Sequence, residues 1–540
     1  MSITRIVGGT IRKTAKGNID IRATGGDLTL HATQNNNWSA GEGIYYEDYE
    51  PSHPDDKMDN KVELTLNLFF DGTGNNKTNI EAREKNTTPY HRNSNKKDDS
   101  YTANYTNVAR MYDAVSKKAP KQLNIYIEGV GTADLKSDDK LPKGIAQSVG
   151  FWSTGIHDKM KRGCELAAEK VKKAANGKPI DLITINVYGF SRGAATARHF
   201  LSITNQTHTT SIDLLGFFNL PGYFWPIRHP KNTNENESSY PDNIEIKWGY
   251  FGIYLIKNKI FEVGEVRFNF VGLYDTVSSH GFVHYNDVKD LGLDAIKKVK
   301  MVFQLAADDE YRENFDLTNI DSAGLKGLTL TLPGVHSDIG GSYLDIDVET
   351  SVVYEEKHTE IRDRHYKPTP YNTKRAEAFK ALLIKEGWYQ ENELTILVQQ
   401  DLGKIQLVGE RVLYSTYDKI ALNKMIMVSK QFGVVYDDFL EKQKTTISDP
   451  FVSDIFDQLT VYSQTVMLHR NAAIKEGKPI TQYHKESKQI SYLNYIKEDD
   501  LKKLRAYYLH WSVKADMFGF DPRFGDMLPI EKRKREIQNG

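Results

Sequence analysis

The chain has 540 residues, 39% of them hydrophobic and 26% charged, with a formal net charge of −1. That composition is ordinary for a globular protein with room for two or three domains and a large core, and the near-neutral charge balance excludes nucleic acid as a bulk partner. The lone cysteine, Cys164, excludes an internal disulfide, no Cys/His spacing forms a zinc site, and neither metal nor cofactor is expected.

Residues 1–55 differ in character from the rest. Gly17-Asn18-Ile19-Asp20-Ile21-Arg22-Ala23-Thr24 recurs nine residues later as Gly26-Asp27-Leu28-Thr29-Leu30-His31-Ala32-Thr33, each copy a turn and a short alternating strand. Stacked copies of such units make β-solenoid or β-prism rungs, and two are too few to stand alone, so the segment is expected to dock on another β-structure. A plain hairpin packed on the following domain is the alternative. The polar stretch from Glu47 to Asn60, with two prolines, reads as a linker. The N-terminus lacks a basic region followed by an apolar one, and no uninterrupted apolar run is long enough for a membrane span. The expectation is synthesis in the cytosol without a signal peptide.

The first strong strand, Val62 to Phe70, ends in Asp71-Gly72-Thr73-Gly74-Asn75-Asn76. A small, glycine-rich loop after an early strand can supply N–H groups to an oxyanion, here from Gly72 and Thr73. Asp71 could instead cap the loop by accepting its N–H groups. The third glycine and the lysine of nucleotide-binding loops are missing, which argues against a nucleotide site. A helix is expected around His157 to Ala175, with Cys164 in a small apolar role.

The run Ile180 to Tyr188 is apolar and β-branched, and Ala194-Ala195-Thr196-Ala197-Arg198 favours a helix; between them lies Gly189-Phe190-Ser191-Arg192-Gly193. Strand, Gly-x-Ser-x-Gly turn and helix in that order form the nucleophile elbow of α/β-hydrolases, in which two glycines let the turn lift a serine hydroxyl clear of the sheet. Ser191 is the candidate nucleophile, and the backbone N–H of Arg192 faces the place where an oxyanion would form.

Leu214 to Pro226 is rich in aromatics but broken by Pro and Gly. Phe217, Phe218, Phe224 and Trp225 suit a headgroup interface, as a lid or wedge, and equally a buried insertion. The alternating run Val266 to Tyr274 ends at Asp275-Thr276-Val277, which makes Asp275 the candidate acid. Leu328 to Leu332 ends in Pro333-Gly334-Val335-His336-Ser337-Asp338-Ile339-Gly340-Gly341, which makes His336 the candidate general base in the usual chain order of Ser, Asp, His. Two alternatives stay open: His280 as the base, and Asp338 as the group that orients His336. Beyond residue 350 the apolar periodicity is mainly helical, and Glu531-Lys532-Arg533-Lys534-Arg535 is a basic cluster expected as a solvated tail or a contact for anionic lipid.

The Phe69–Asn76 segment, the Gly189–Ala195 elbow, Asp275-Thr276-Val277 and His336–Gly341 together resemble the α/β-hydrolase domain of the first family of type VI secretion phospholipase effectors and the DUF2235-type hydrolases. The likeness extends to Asp309-Glu310-Tyr311-Arg312, to Tyr417–Met425 and to Leu509-His510-Trp511-Ser512, so it spans roughly residues 60 to 520. The resemblance implies hydrolysis of fatty-acyl esters in the membrane phospholipids of a rival cell by Ser191, Asp275 and His336. It also implies type VI export into the target's periplasm or membrane, a spike component bound through residues 1–55, and a cognate immunity protein. The expected architecture is an α/β-hydrolase-like, mostly parallel sheet over 60–350, preceded by the β-repeat segment and followed over 351–540 by a mainly helical accessory region that seats the enzyme on membrane. A carboxylesterase acting on non-lipid esters and a catalytically silent hydrolase-fold adaptor are the other readings, because a fold does not fix a substrate.

Overall fold

The computed structural model describes residues 61–93, 99–138, 155–210, 217–220, 223–226, 244–278, 287–357, 370–399, 402–517, 520–523 and 533–540. The repeat in residues 1–55 and His280 lie outside the described residues. Residues Asn60–Gly540 belong to one compact unit.

Its centre is a six-stranded parallel sheet: β1 (Val62–Phe70), β2 (Gln122–Ile127), β3 (Ile180–Phe190), β4 (Val263–Tyr274), β5 (Met301–Ala307) and β6 (Gly327–Leu332), in the order β6-β5-β4-β3-β1-β2. The chain runs outward from β1 to β2, returns to β3 on the other side of β1, and then steps outward to β6. The reversal lies between β1 and β3, where open α/β sheets leave a crevice beyond the carboxyl ends of their strands.

These strands read as near-continuous apolar runs because both faces are covered. Alternate side chains enter two cores. Leu68, Phe70, Val187, Val271 and Leu273 meet α1 (Ile156–Ala175, with buried Cys164) and α2 (Arg192–Thr204) on one face. β6 is followed by a single helical turn, α3 (His336–Gly340). On the other face Phe69, Tyr188, Phe270 and Phe303 share a cluster with Ile420, Leu422 and Met425 of α4 (Asp418–Lys430) and with Ile455, Leu459 and Tyr462 of α5 (Pro450–Glu476). The C-terminal helices thus form one of the sheet's two covers.

A polar line crosses this interior. Asn67 on β1 is in register with Asn124 on β2 and Asn186 on β3. Their amides bond in series: Asn186 to Asn67 at 2.8 Å, Asn67 to Asn124 at 2.9 Å, and Asn269 of β4 to Asn186 at 2.9 Å. Asn269 reaches this row because a bulge in β4 shifts the register at Ile185/Asn186. A one-residue slip would strand buried amides, so the ladder pins the strand register.

The region beyond 350 is not helical throughout. β7 (Ile346–Lys357), β8 (Leu394–Gln399) and β9 (Lys404–Tyr414) form an antiparallel sheet in the order β7-β9-β8. Lys404–Tyr414 alternates strictly enough for it, with Ile405, Leu407 and Leu413 buried and Val412 and Tyr414 exposed. The expected aromatic segment forms a short antiparallel pair, Phe217–Leu220 with Tyr223–Pro226. Among the described residues no helix is long and apolar enough to cross a membrane.

Candidate active site

Every candidate catalytic group among the described residues sits beyond the carboxyl edge of the parallel sheet. β3 passes directly into α2 through Ser191, whose backbone is held at φ 58°, ψ −128°, a conformation that costs an L-residue of order 1–3 kcal/mol. Two glycines make this possible. A Cβ on Gly189 would lie 2.5 Å from Ala194 Cα and from Gly193 O, and one on Gly193 would lie 2.2 Å from Asp71 O and 2.4 Å from Phe70 O. The elbow therefore touches the loop after β1 backbone to backbone. Arg192 opens α2, where the first N–H groups have no intrahelical acceptor.

Asp71 caps the loop that carries Gly72 and Thr73. Its Oδ1 accepts from Gly72 N–H at 2.7 Å and Thr106 Oγ1 at 2.6 Å, and its Oδ2 from the Tyr126 hydroxyl at 2.6 Å. Burial pushes the carboxyl up to about 6 against the pull of these donors. The Thr73 hydroxyl is buried and has no partner among the described residues.

Asp275 follows β4 and His336 follows β6, and the structure brings them together: His336 Nδ1 lies 2.5 Å from Asp275 Oδ2, both side chains buried. This bond fixes the neutral ring with its proton on Nδ1 and leaves Nε2 as the basic nitrogen. The acid loop is bound to the elbow on either side of Asp275, by Ser191 N–H to Tyr274 O at 3.0 Å and Val277 N–H to Ser191 O at 3.4 Å. The His336 ring rests between Phe190, the residue before Ser191, at 4.6 Å and Phe315 at 5.0 Å between centroids. Burial lowers the His336 pKa below its ordinary value, and Asp275 only partly offsets this, so the ring is neutral at pH 7 as a base requires.

The remaining acids divide the work of holding the loops. Burial opposes ionisation of Asp275, yet Arg535 and His336 hold its carboxyl well below the usual range. Glu310, also buried, is held down to about 2 by Arg312, which binds it through Nε at 2.9 Å and Nη2 at 2.7 Å; it accepts from His336 N–H at 3.2 Å and Ser512 Oγ at 2.9 Å. Asp309 accepts from Gly334 N–H at 2.8 Å. Asp338 does not meet His336. It pairs with His510, Nδ1 to Oδ1 at 2.7 Å, and caps Val335 N–H at 2.9 Å.

Ser191, Gly72, Thr73, Asp71, Asp275 and His336 thus come together at one edge of the sheet. Two roles escaped sequence reasoning. Glu310 stood out only as part of a motif, and its task of tying the histidine loop to Ser512 spans 202 residues. Arg535, in the basic cluster expected as a solvated tail, is instead buried against Asp275, Nη1 to Oδ1 at 2.5 Å and Nη2 to Oδ2 at 2.8 Å. Its neighbour Arg533 is likewise buried and paired with Glu386.

The family model for the catalytic domain of Tle1-like type VI secretion phospholipase effectors matches residues 65–358. The solved structure of the Tle1 effector bound to the VgrG spike of the type VI secretion system is similar over 94% of this chain and 99% of that one, with 18% identity and a TM-score of 0.52, a likeness of fold. A Pseudomonas aeruginosa protein of uncharacterised function aligns over 77% of this chain and 54% of its own, with 15% identity and a TM-score of 0.34. No curated protein matches the chain.

Proposed function

The chain belongs to the Tle1-like type VI secretion phospholipase effectors, whose catalytic-domain model covers more than half of its length, and from that premise we propose that it cleaves fatty-acyl ester bonds of membrane phospholipids through Ser191, His336 and Asp275. The observation that carries this reading is the buried Asp275–His336 pair bonded to the loop of a strained Gly-x-Ser-x-Gly elbow.

Ser191 Oγ attacks the ester carbonyl carbon while His336 Nε2 takes its proton, and Asp275 stabilises the imidazolium that forms. The carbonyl oxygen, now an anion, sits against the N–H groups of Arg192 and Thr73, and the buried Thr73 hydroxyl, which has no partner among the described residues, is a further donor; the Gly72 N–H, expected as a donor, is already given to Asp71 Oδ1. The tetrahedral adduct collapses, the C–O bond to the lysophospholipid breaks, and His336 returns the proton to the leaving oxygen. Water, deprotonated by the same nitrogen, then releases the fatty acid from Ser191.

Two regions suit a bilayer. The segment bearing Phe217, Phe218, Phe224 and Trp225 is one, by its aromatic composition. The other is the outer face of β7 and β9, where Ile346 pairs with Tyr414 and Val348 with Val412, all four exposed; this face supports a membrane-seating role for the region 351–540 together with the start of β7 just before it. Residues 1–55 bind the spike, a role in keeping with the VgrG-bound Tle1 structure. A cognate immunity protein guards the producing cell.

The test is product analysis with phospholipid vesicles labelled at each acyl position. Free fatty acid should appear with the native chain and not with Ser191→Ala. Release of headgroup instead, or turnover of soluble esters alone, would remove the phospholipase assignment. A chain shortened to begin near Asp59 should hydrolyse lipid normally and lose co-purification with the spike.

A further inference from the structure

Asp275 is held by a segment distant in sequence. Ile537–Gln538 runs parallel to Leu317–Thr318 as a two-residue strand, with Leu317 N–H bonded to Glu536 O at 3.0 Å and Asn319 N–H to Gln538 O at 2.9 Å. Leu317–Thr318 in turn lies on the acid loop: Thr318 N–H donates to Thr276 O at 2.9 Å, and Thr318 Oγ1 to Ser278 Oγ at 2.8 Å. The strap 533–540 is thereby stacked over the loop that follows β4, with Arg535 pointing inward.

The Arg535 guanidinium is fixed on every side. Beyond its two bonds to Asp275, it donates through Nη1 to Ala307 O at 3.0 Å, and through Nε and Nη2 to Phe315 O at 3.1 and 2.8 Å. Both carbonyls belong to residues that frame the pair, since Ala307 N–H bonds Asp275 Oδ1 and the Phe315 ring meets His336. A planar fork that grips both carboxylate oxygens leaves the carboxylate no freedom to rotate, which a lysine could not achieve.

We propose that Arg535 is a positioning residue of the hydrolase: by clamping both oxygens of Asp275 it fixes the angle at which the carboxylate meets His336, so that the strap 533–540 is a working part of the active site. This rests on the triad reading above. Angular precision of this kind is worth about 100-fold in rate when lost.

The clamp also sets the charge that His336 feels. The groups facing the pair are Asp275 itself, Glu310 and Arg312 from the loop after β5, and Arg535 from the strap; Asp338, on His336's own helix, is engaged by His510. Removing the Arg535 cation lets the pair bind a proton more readily. The acidic limb of the rate profile, where His336 becomes protonated, should then move to higher pH.

The test uses the full chain with Arg535→Gln, Arg535→Lys and, as a control for strap docking, Arg533→Gln. Vesicle hydrolysis and the rate of Ser191 labelling by a fluorophosphonate are followed from pH 5 to 9. Arg535→Gln should lose about 100-fold in kcat with little change in KM, and its acidic limb should rise by about one pH unit. Arg535→Lys should keep the limb in place and lose about 10-fold, because one point charge cannot hold both oxygens. Arg533→Gln should leave the limb where it is. A native kcat in Arg535→Gln, or a lost rate with an unmoved limb matched by Arg533→Gln, would overturn the proposal. If Arg535→Gln does not fold, Arg535→Lys decides: reduced kcat with the native limb supports the clamp, and native kcat refutes it. Ser191→Ala run alongside separates the two readings, since hydrolysis or labelling that survives in it removes the triad whatever Arg535 does.

Discussion

Asp275→Asn is the substitution whose cost follows most directly from the geometry. Oδ1 receives Ala307 N–H at 2.8 Å and Arg535 Nη1 at 2.5 Å, and Oδ2 receives Arg535 Nη2 at 2.8 Å and His336 Nδ1 at 2.5 Å. All four neighbours are N–H donors. An asparagine offers one oxygen and one NH2, so whichever way it turns the NH2 confronts donors and two hydrogen bonds are lost. The Arg535 side chain, only 7% exposed, also loses its counter-ion. Removing one partner of a buried ion pair costs about 3–5 kcal/mol, more than a lost surface contact could. Turnover should fall about 10⁴-fold as well, because the imidazole is no longer held with its proton on Nδ1. Urea unfolding midpoints and initial rates on phospholipid vesicles measure the two effects separately. Asp275→Leu combined with Arg535→Met removes both charges, and should recover most of the stability, since apolar replacement of a whole buried pair is close to neutral, while leaving the enzyme inactive. An Asp275→Asn variant as resistant to urea as the native chain, or a double variant that regains turnover, would refute this reasoning.

Ser191→Ala should abolish hydrolysis with a nearly unchanged melting temperature, and Ser191→Gly should be more stable by up to about 1 kcal/mol because φ 58° no longer meets a Cβ; calorimetry that finds Ser191→Gly less stable than Ser191→Ala would argue against stored strain. Gly193→Ala forces a Cβ onto the carbonyls of Phe70 and Asp71, which cannot rotate away, so it should cost about 3 kcal/mol or more, seen as a lowered thermal midpoint and lost turnover. Asp71, raised from 3.8 to about 6, adds stability at low pH that is lost as pH climbs through 6. Asp71→Asn should therefore be the more stable form at pH 8, by about 2–3 kcal/mol, with the difference gone by pH 4; a difference independent of pH in urea titrations would contradict the assignment. Phe224→Asp with Trp225→Asp, or Val348→Asp with Val412→Asp, should weaken co-sedimentation with vesicles while sparing turnover of a soluble ester; equal loss on both substrates would mark Phe224 and Trp225 as core, and unchanged co-sedimentation of the Val348 and Val412 variant would remove that face from the membrane contact.

The elbow was legible in the sequence because its constraints are local. A strand, two glycines at fixed spacing and a helix specify the turn with no help from distant residues, and the short side chains at 189 and 193 are what the contacts with Ala194 and Asp71 demand. Asp275 and His336 were legible as the residues at which apolar strands run out. Which acid meets which histidine was decided by tertiary structure. Asp338 is two residues from His336, but both lie in the helical turn α3, where such neighbours project to different sides, so Asp338 turns to His510 while His336 reaches an acid 61 positions earlier. The region beyond 350 read as mainly helical because longer helical runs flank 394–414 on both sides; the alternation of Lys404–Tyr414 becomes decisive only once its partners on either side, β7 and β8, are known. Arg535 had no signal at all: in the sequence it is one of several adjacent basic residues, and only the pairing of Ile537–Gln538 with Leu317–Thr318 carries it 260 positions back to Asp275. Local sequence fixes backbone turns and strand ends, because their sterics reach only a few residues; the partner of a buried charge is fixed by packing, because a buried ion must find its counter-ion wherever the chain brings one.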